Sequence, residues 1–271
     1  MRCLEQFHIT AVHKIAFTFG PALTIYWYGV MVALGFLAGL WTAGRRGLRG
    51  GFAAEQIVDL GPWLIVGTIL GARALYVLSY WHEEFAAAPL ADVFKVWRGG
   101  LVFYGGLIGA SLACILYTRI KHLPLWKVAD ILAPSIALGH FFGRIGCLLN
   151  GCCYGRACSL SWAITFPEGH ETHPKGSPAT PVHPTEIYEA LLNLALYAAL
   201  AWLYRRRKFD GQVFGVYLIS YALLRSFVEM FRGDYPQYYG GWATPAQLVS
   251  GGVLIVGVVL LTVLPRPSQP R

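Results

Sequence analysis

The feature that most constrains this chain is the recurrence of apolar runs close to a membrane's thickness in length. Seven are read along it, at residues 22–43, 57–80, 101–117, 128–149, 186–204, 213–231 and 245–264. A helix rises about 1.5 Å per residue, so about 20 apolar residues cross the hydrocarbon of a bilayer. Inside that hydrocarbon a backbone must satisfy its own hydrogen bonds, and a helix does so within one segment. The chain is therefore expected to be an all-α polytopic membrane protein with about seven transmembrane helices. Its composition agrees: 56% of the 271 residues are hydrophobic and 13% are charged, where soluble domains carry about a quarter charged.

The charges that remain are ordered. Arg45, Arg46 and Arg49 follow the first run. Arg119, Lys121 and Lys127 separate the third from the fourth, Arg205, Arg206, Arg207 and Lys208 follow the fifth, and Arg266 and Arg271 follow the last. With seven crossings these twelve of the 22 Lys and Arg residues fall on one side. The positive-inside rule makes that side cytoplasmic, with the C-terminus inside and the N-terminus outside. The net charge of +8 is thereby explained by topology, and a nucleic-acid partner is not expected. The first residues mix Glu5, His8, His13 and Lys14 without an apolar core or small-residue cleavage site, so the first run is expected to serve as its own targeting signal. The opposite side receives 81–100, 150–183 and the aromatic stretch 232–244, "RGDYPQYYGGWAT". No repeat or linker divides the chain. It reads as one transmembrane domain, residues 1–271, with 150–183 as a loop elaboration between the fourth and fifth runs.

Three arginines have no topological explanation: Arg73, Arg144 and Arg225 lie within or at the end of apolar runs. An arginine at mid-bilayer costs about 2.5–3.5 kcal/mol on insertion scales, so it usually faces a polar cavity. Snorkelling from a helix end is the competing account, and it is strongest for Arg73. In "YALLRSFVEMFR", Tyr221, Arg225, Glu229 and Arg232 recur at helical spacing on one stripe, and Arg225 can pair with Glu229. The fifth run opens "HPTEIYE", where Pro184 suits a first helical turn. A helix start explains Pro184 and Thr185 but not the crowding of His183, Glu186, Tyr188 and Glu189. In "GGLVFYGGLIGA" the glycines, Gly105 among them, fit close helix packing, which does not account for Tyr104 between them. Tyr26 and Tyr28 sit where an interfacial aromatic belt would place them.

The stretch "GRIGCLLNGCCYG", residues 143–155, joins Arg144 to Asn150, Gly155 and three cysteines. Four of the chain's six cysteines, Cys147, Cys152, Cys153 and Cys158, lie in or beside it as C-x4-C-C-x4-C. Its two C-x4-C pairs stand at the wide limit of the C-x2–4-C spacing of structural zinc sites. If the segment meets an oxidising compartment, disulfides lead the readings, then free buried thiols, then a metal. Four cysteines allow three pairings, so connectivity stays open.

These four motifs, in this order on a seven-run frame, resemble the prolipoprotein diacylglyceryl transferases over nearly the whole chain. The resemblance implies transfer of the diacylglyceryl group of phosphatidylglycerol to the lipobox cysteine of a preprolipoprotein signal peptide. A thioether forms and glycerol phosphate leaves. It implies a multi-pass protein of the bacterial plasma (inner) membrane, with the site at the periplasmic face and no metal or organic cofactor. By that comparison Arg144 is the signature-motif arginine and Arg225 the essential arginine of the sixth run. Both are expected to bind phosphate, with Glu229 orienting Arg225, and Asn150, Gly155, Gly105, Tyr221 and Arg73 beside the lipid headgroup. Tyr28 and Tyr221 match family tyrosines. Tyr104 stands where the family commonly has a histidine, the usual candidate base, and a phenol is a poor base at neutral pH. Cys147 stands where asparagine is common, and Cys152 where an acid is common. His183 becomes the substitute base candidate, with His140 second and read mainly as a core histidine. Two other readings are a divergent paralogue with another acceptor and a lipid carrier without chemistry. Against the carrier, the chain shows no inverted repeat or paired broken helices.

Overall fold

The computed structural model describes residues 7–8, 14–19, 23–86, 89–233 and 244–264. Most of the stretch 232–244, together with Cys3, Arg266 and Arg271, lies outside the described residues. In chain order the elements are β1 (Phe7–His8), β2 (Ile15–Phe19), β3 (Leu23–Tyr26), α1 (Trp27–Arg49), α2 (Ala54–Val58), α3 (Leu60–Ser79), α4 (Phe103–Ile120), α5 (Leu125–Asn150), β4 (Ile164–Thr165), α6 (Thr185–Arg206), α7 (Gln212–Glu229) and α8 (Pro245–Val263). Between α3 and α4 run a π turn, Trp81–Phe85, and two 3-10 turns, Leu90–Phe94 and Val96–Arg98.

Six helices among the described residues are long and apolar enough to cross a membrane: Trp27–Arg49, Glu55–Ser79, Phe103–Ile120, Leu125–Asn150, Thr185–Arg206 and Pro245–Val263. The expected seventh, α7, is helical but falls short on composition, because Gln212, Arg225 and Glu229 dilute its 18 residues. The first run was expected to be helical from residue 22. Instead 23–26 is strand, paired antiparallel with β2, and the helix opens at Trp27.

The described residues group into two compact units. Ala43–Val128 forms one of them. Here Gly67 and Gly71 of α3 meet Gly109 and Gly105 of α4 so closely that a Cβ on either α4 glycine would run into a facing carbonyl oxygen. Small residues in a membrane helix pair let the backbones approach in this way. Tyr117 of α4 donates its hydroxyl to the Gln56 carbonyl at 2.7 Å.

The other unit takes the described residues of Met1–Thr42 and Ala129–Arg271. Gly35 and Gly39 of α1 pack on Phe142 and Ser135 of α5, and Thr42 shares a 3.2 Å hydroxyl contact with Ser135. Gly257 of α8 packs on Ile219 of α7. Asp130 of α5 is fully buried and accepts hydrogen bonds from the Gly211 and Phe214 amides, both 2.9 Å, at the start of α7. Those amides lack partners within their own helix, so the carboxylate serves as a distant cap. Between α5 and α6 the loop folds over a small core of Ile164, Phe166 and Val182, with Leu148 and Tyr154 against it. β4 pairs parallel with β1 there.

Candidate active site

The candidate site is built in the unit that carries α5, α6 and α7. α5 ends in the motif residues, and near its last turns it presents Arg144. The guanidinium Nη2 lies 3.0 Å from Oε1 of Glu189, one turn into α6, and that carboxylate is 2% exposed. On α7, Arg225 Nη2 lies 2.6 Å from Oε2 of Glu229, also 2% exposed. The i,i+4 pairing read from the sequence is thus formed, and Arg232 Nε approaches the same carboxylate oxygen at 3.9 Å. Arg225 Nη1 is buried and accepted by no group. Leaving a buried polar group unpaired is expensive, and this spare guanidinium donor is free to take an acceptor.

Between these ion pairs stand aromatic rings. His140, one turn before Arg144, stacks on Tyr221 at 4.8 Å, and Tyr221 stacks on Tyr217 at 5.8 Å. His140 lies within electrostatic reach of both Arg144 and Arg225. Tyr28 of α1 packs on α5 at Gly146, where an added Cβ would sit 3.2 Å from the Tyr28 ring. Tyr28 also lies within electrostatic reach of Arg144. Arg144, Arg225, Glu229, Tyr221 and Tyr28 therefore share one neighbourhood.

Glu186 is 1% exposed and neither of its carboxylate oxygens has a hydrogen-bond partner. Arg144 and Arg232 are its charged neighbours. The sequence marked Glu186 and Glu189 only as crowding. Their role as acids behind Arg144 was missed, because the partners lie far apart along the chain. Their three-residue spacing on one helical face was the available signal.

His183 has a different place. Its backbone pairs with the loop: its carbonyl accepts from Gly155 N at 3.0 Å and its amide donates to Arg156 O at 3.0 Å. A side chain on Gly155 would meet the His183 Cβ at 2.5 Å, which fixes why glycine stands there. The Tyr188 hydroxyl accepts from Trp162 Nε1 at 2.7 Å and shares a 3.3 Å hydrogen bond with His183 Nδ1. Thr185 donates to the Cys153 carbonyl at 2.7 Å and ties the start of α6 to the motif loop.

The expected disulfides are not formed: Cys114, Cys147, Cys152, Cys153 and Cys158 are free thiols. The physical reason is a different convergence. The sulfurs of Cys147, Cys152 and Cys153 lie within 4.8 Å of one another, and Cys152 shares thiol hydrogen bonds with both others instead of a covalent bond with one. Asn150 Nδ2 lies 3.5 Å from Cys152 Sγ. Hydrogen bonds from the Cys147 and Cys153 thiols hold the Cys152 thiol well below the ordinary thiol range, against the opposing effect of burial. Tyr28, Asn150 and the three cysteines line one cavity of about 520 Å³.

Three expected site residues lie in the unit Ala43–Val128. Arg73 spends its donors on backbone carbonyls: Nε on Val93 at 2.8 Å, Nη1 on Gly99 at 2.9 Å and Gly100 at 3.2 Å, and Nη2 on Asp92 at 2.7 Å. Gly105 packs α4 on α3. Tyr104, beside it, is 47% exposed and meets Phe103 edge-on at 5.8 Å.

Comparison with known proteins agrees with this arrangement of motifs. The family model described as prolipoprotein diacylglyceryl transferase matches residues 14–263. A phosphatidylglycerol–prolipoprotein diacylglyceryl transferase of Nitratidesulfovibrio vulgaris is 37% identical over 256 residues, 92% of this chain and 93% of its own. The protein of the same name from Solidesulfovibrio magneticus is 39% identical over 254 residues, 91% and 92% of the two chains. That from Pseudoalteromonas atlantica is 36% identical over 264 residues, 95% and 91%. With the motifs, the two arginines paired to buried glutamates and matches running almost end to end, this chain belongs to the prolipoprotein diacylglyceryl transferase family.

Proposed function

We propose that this protein transfers the diacylglyceryl group of phosphatidylglycerol to the lipobox cysteine thiol of a preprolipoprotein signal peptide, in the bacterial plasma (inner) membrane. The observation that carries the reading is the pair of partly buried arginines, Arg144 and Arg225, each held by a buried glutamate, Glu189 and Glu229, near the His140–Tyr221 stack. A phosphodiester headgroup at membrane depth calls for cations that stay charged and offer a planar fork of donors, and arginine does both.

In the reaction the acceptor sulfur, as thiolate, attacks the glycerol carbon that carries the phosphate. The S–C bond forms, the C–O bond breaks, and its electron pair stays on the phosphate oxygen. Glycerol phosphate leaves with one more negative charge than the diester had, and the thiol's proton passes to a base or to the leaving group. Arg144 and Arg225 are proposed to meet that added charge, a kind of stabilisation worth about 10²–10³ in rate per donor. Glu189 and Glu229 hold the two guanidiniums in place without neutralising every donor. Asn150, Gly155, Tyr28 and Tyr221 are proposed beside the headgroup. His183 is proposed as the base in place of the family histidine, with its Nδ1 3.3 Å from the Tyr188 hydroxyl.

Tyr104 keeps its proposed place from the family resemblance alone. For Arg73 and Gly105 the carbonyl cage and the helix packing supply a sufficient role without lipid. The motif loop is proposed to face the periplasm, with the N-terminus outside and the C-terminus in the cytoplasm. The test is transfer of labelled diacylglycerol from phosphatidylglycerol to a lipobox peptide by purified protein. Thioether product that disappears in Arg144→Ala supports the reading. Absence of product with folded wild-type protein overturns it.

A further inference from the structure

The resemblance gives no part to Cys147, Cys152 and Cys153, and the mechanism above does not use them. Their arrangement is specific. The end of α5 supplies Cys147, and the chain then turns back through Gly151, at φ 69°, and Cys153, at φ 72°. A positive φ is uncommon for a residue with a side chain, and here it brings Cys153 back beside Cys147. The three sulfurs lie within 4.8 Å of one another. A thiophilic ion bound at about 2.3 Å from each sulfur holds them about 3.8 Å apart, a contraction within reach of side-chain rotation. Arg144 Nη1 lies 4.0 Å from Cys147 Sγ and offsets part of the thiolate charge, while its Nη2 stays on Glu189. The carboxylate of Glu186, buried and unpartnered, lies within electrostatic reach of Cys152. It stands next to Thr185, whose hydroxyl holds the Cys153 carbonyl.

We propose that Cys147, Cys152 and Cys153 form a three-sulfur site for a soft, thiophilic d10 cation of the zinc or copper(I) class, with one coordination position open to the cavity. All three cysteines line that cavity, together with Tyr28 and Asn150. A tetrahedral ion held by three protein ligands keeps its fourth position for water or substrate. In this enzyme, and resting on the proposed function, the substrate that fits is the acceptor thiol. Metal coordination deprotonates a thiol outright, with the proton passing to water. The chain that lacks the family's usual histidine at Tyr104 thereby has another way to present a thiolate. Sequence spacing gave this site little weight, because C-x4-C stands at the wide limit of zinc-ligand spacing and the three sulfurs meet only after the chain reverses.

The test titrates cadmium(II), as a spectroscopic stand-in, into metal-free purified protein and follows thiolate-to-metal charge-transfer absorption in the ultraviolet. Zinc(II) and copper(I) arms, with metal counted by mass spectrometry, distinguish the two ions. One ion per chain is expected in the wild type and in Cys158→Ser. Uptake falls at least tenfold in Cys147→Ser and Cys152→Ser. Failure of the wild type itself to take up one equivalent overturns the site whatever the variants do. So does unchanged uptake in the serine variants, or loss of two free thiols to a disulfide in alkylated, metal-free protein. Adding a lipobox peptide to the cadmium form is expected to strengthen the absorption, while its Cys→Ser counterpart leaves it unchanged. A bound ion that does not respond to the cysteine peptide overturns the acceptor-thiol part alone. Labelled-lipid transfer is scored in the same preparations, so metal binding without any product points to failure of the transferase reading and not of the site.

Discussion

Arg144 and Arg225 are each held by a buried glutamate, yet the two pairs differ in what the carboxylate is shared with. Glu229 also meets Arg232, whereas Glu189 pairs with Arg144. Removing one member of a buried pair leaves an uncompensated charge and costs about 3–5 kcal/mol, while replacing both by apolar residues is often neutral. Glu189→Met is therefore expected to lower the thermal midpoint of the detergent-solubilised protein, and Arg144→Met/Glu189→Met to restore it. The double variant is nevertheless expected to transfer no diacylglycerol. Recovered stability together with recovered activity would show Arg144 to be structural. For Arg225, Ala is expected to lower turnover by about 10²–10³-fold, measured with labelled phosphatidylglycerol. Lys, which keeps the charge but loses the fork, is expected to fall between Ala and wild type. An equal loss in both would point to geometry alone and not to charge. At this scale the Arg225–Glu229 pair was legible because helical periodicity joins them on one face. The Arg144–Glu189 pair was not legible, because nothing local links two helices separated by a long loop.

Among the elements, apolar length made most of the helices readable, and single residues set their limits. α1 begins at Trp27 because the preceding residues pair with β2, and no hydropathy run records such a pairing. The Asp130 cap was equally hidden, since its amide partners at Gly211 and Phe214 lie on another helix. The glycines of α4 were legible as close packing, and their energetic weight follows from the approach of α3. Gly105→Ala sets a methyl against the Gly71 carbonyl oxygen, a backbone group that cannot rotate away. Overpacking of this kind costs about 1–3 kcal/mol, so the thermal midpoint is expected to fall. Gly139→Ala provides the contrast on α5. Its methyl would meet nothing within 4 Å, and alanine gains up to about 1 kcal/mol of helix propensity over glycine. Its midpoint is expected to hold or rise. Equal destabilisation by both would remove the claim that contact between α3 and α4 backbones, rather than any change at a membrane glycine, sets the cost.

For the whole molecule the open quantity is the number of crossings, and α7 decides it. Six helices qualify by length and apolar content, and α7 does not, although it carries Arg225 and Glu229. The reason it falls short is the reason it is proposed to matter. A helix that spans by packing its charged stripe on protein, instead of facing lipid, need not be apolar all round, and its ionised residues are then functional. On the proposed topology of seven crossings, the positive-inside rule would put Arg205, Arg206, Arg207 and Lys208 in the cytoplasm and the chain after α7 outside. Alkaline phosphatase, active only after export, reads this directly. Fused after Lys208 it is expected to be inactive, and fused after Gly233 it is expected to be active, with a fusion after Gly176 in the loop between α5 and α6 active as well. Inactivity after both Lys208 and Gly233 would mean that α7 turns back without crossing. The C-terminus would then lie outside once α8 crosses, and the basic clusters would lose their shared side. A crossing α7, by contrast, would carry Arg225 through the bilayer's polar gradient with Glu229 already paired to it, so that insertion and preparation of the phosphate site are one step.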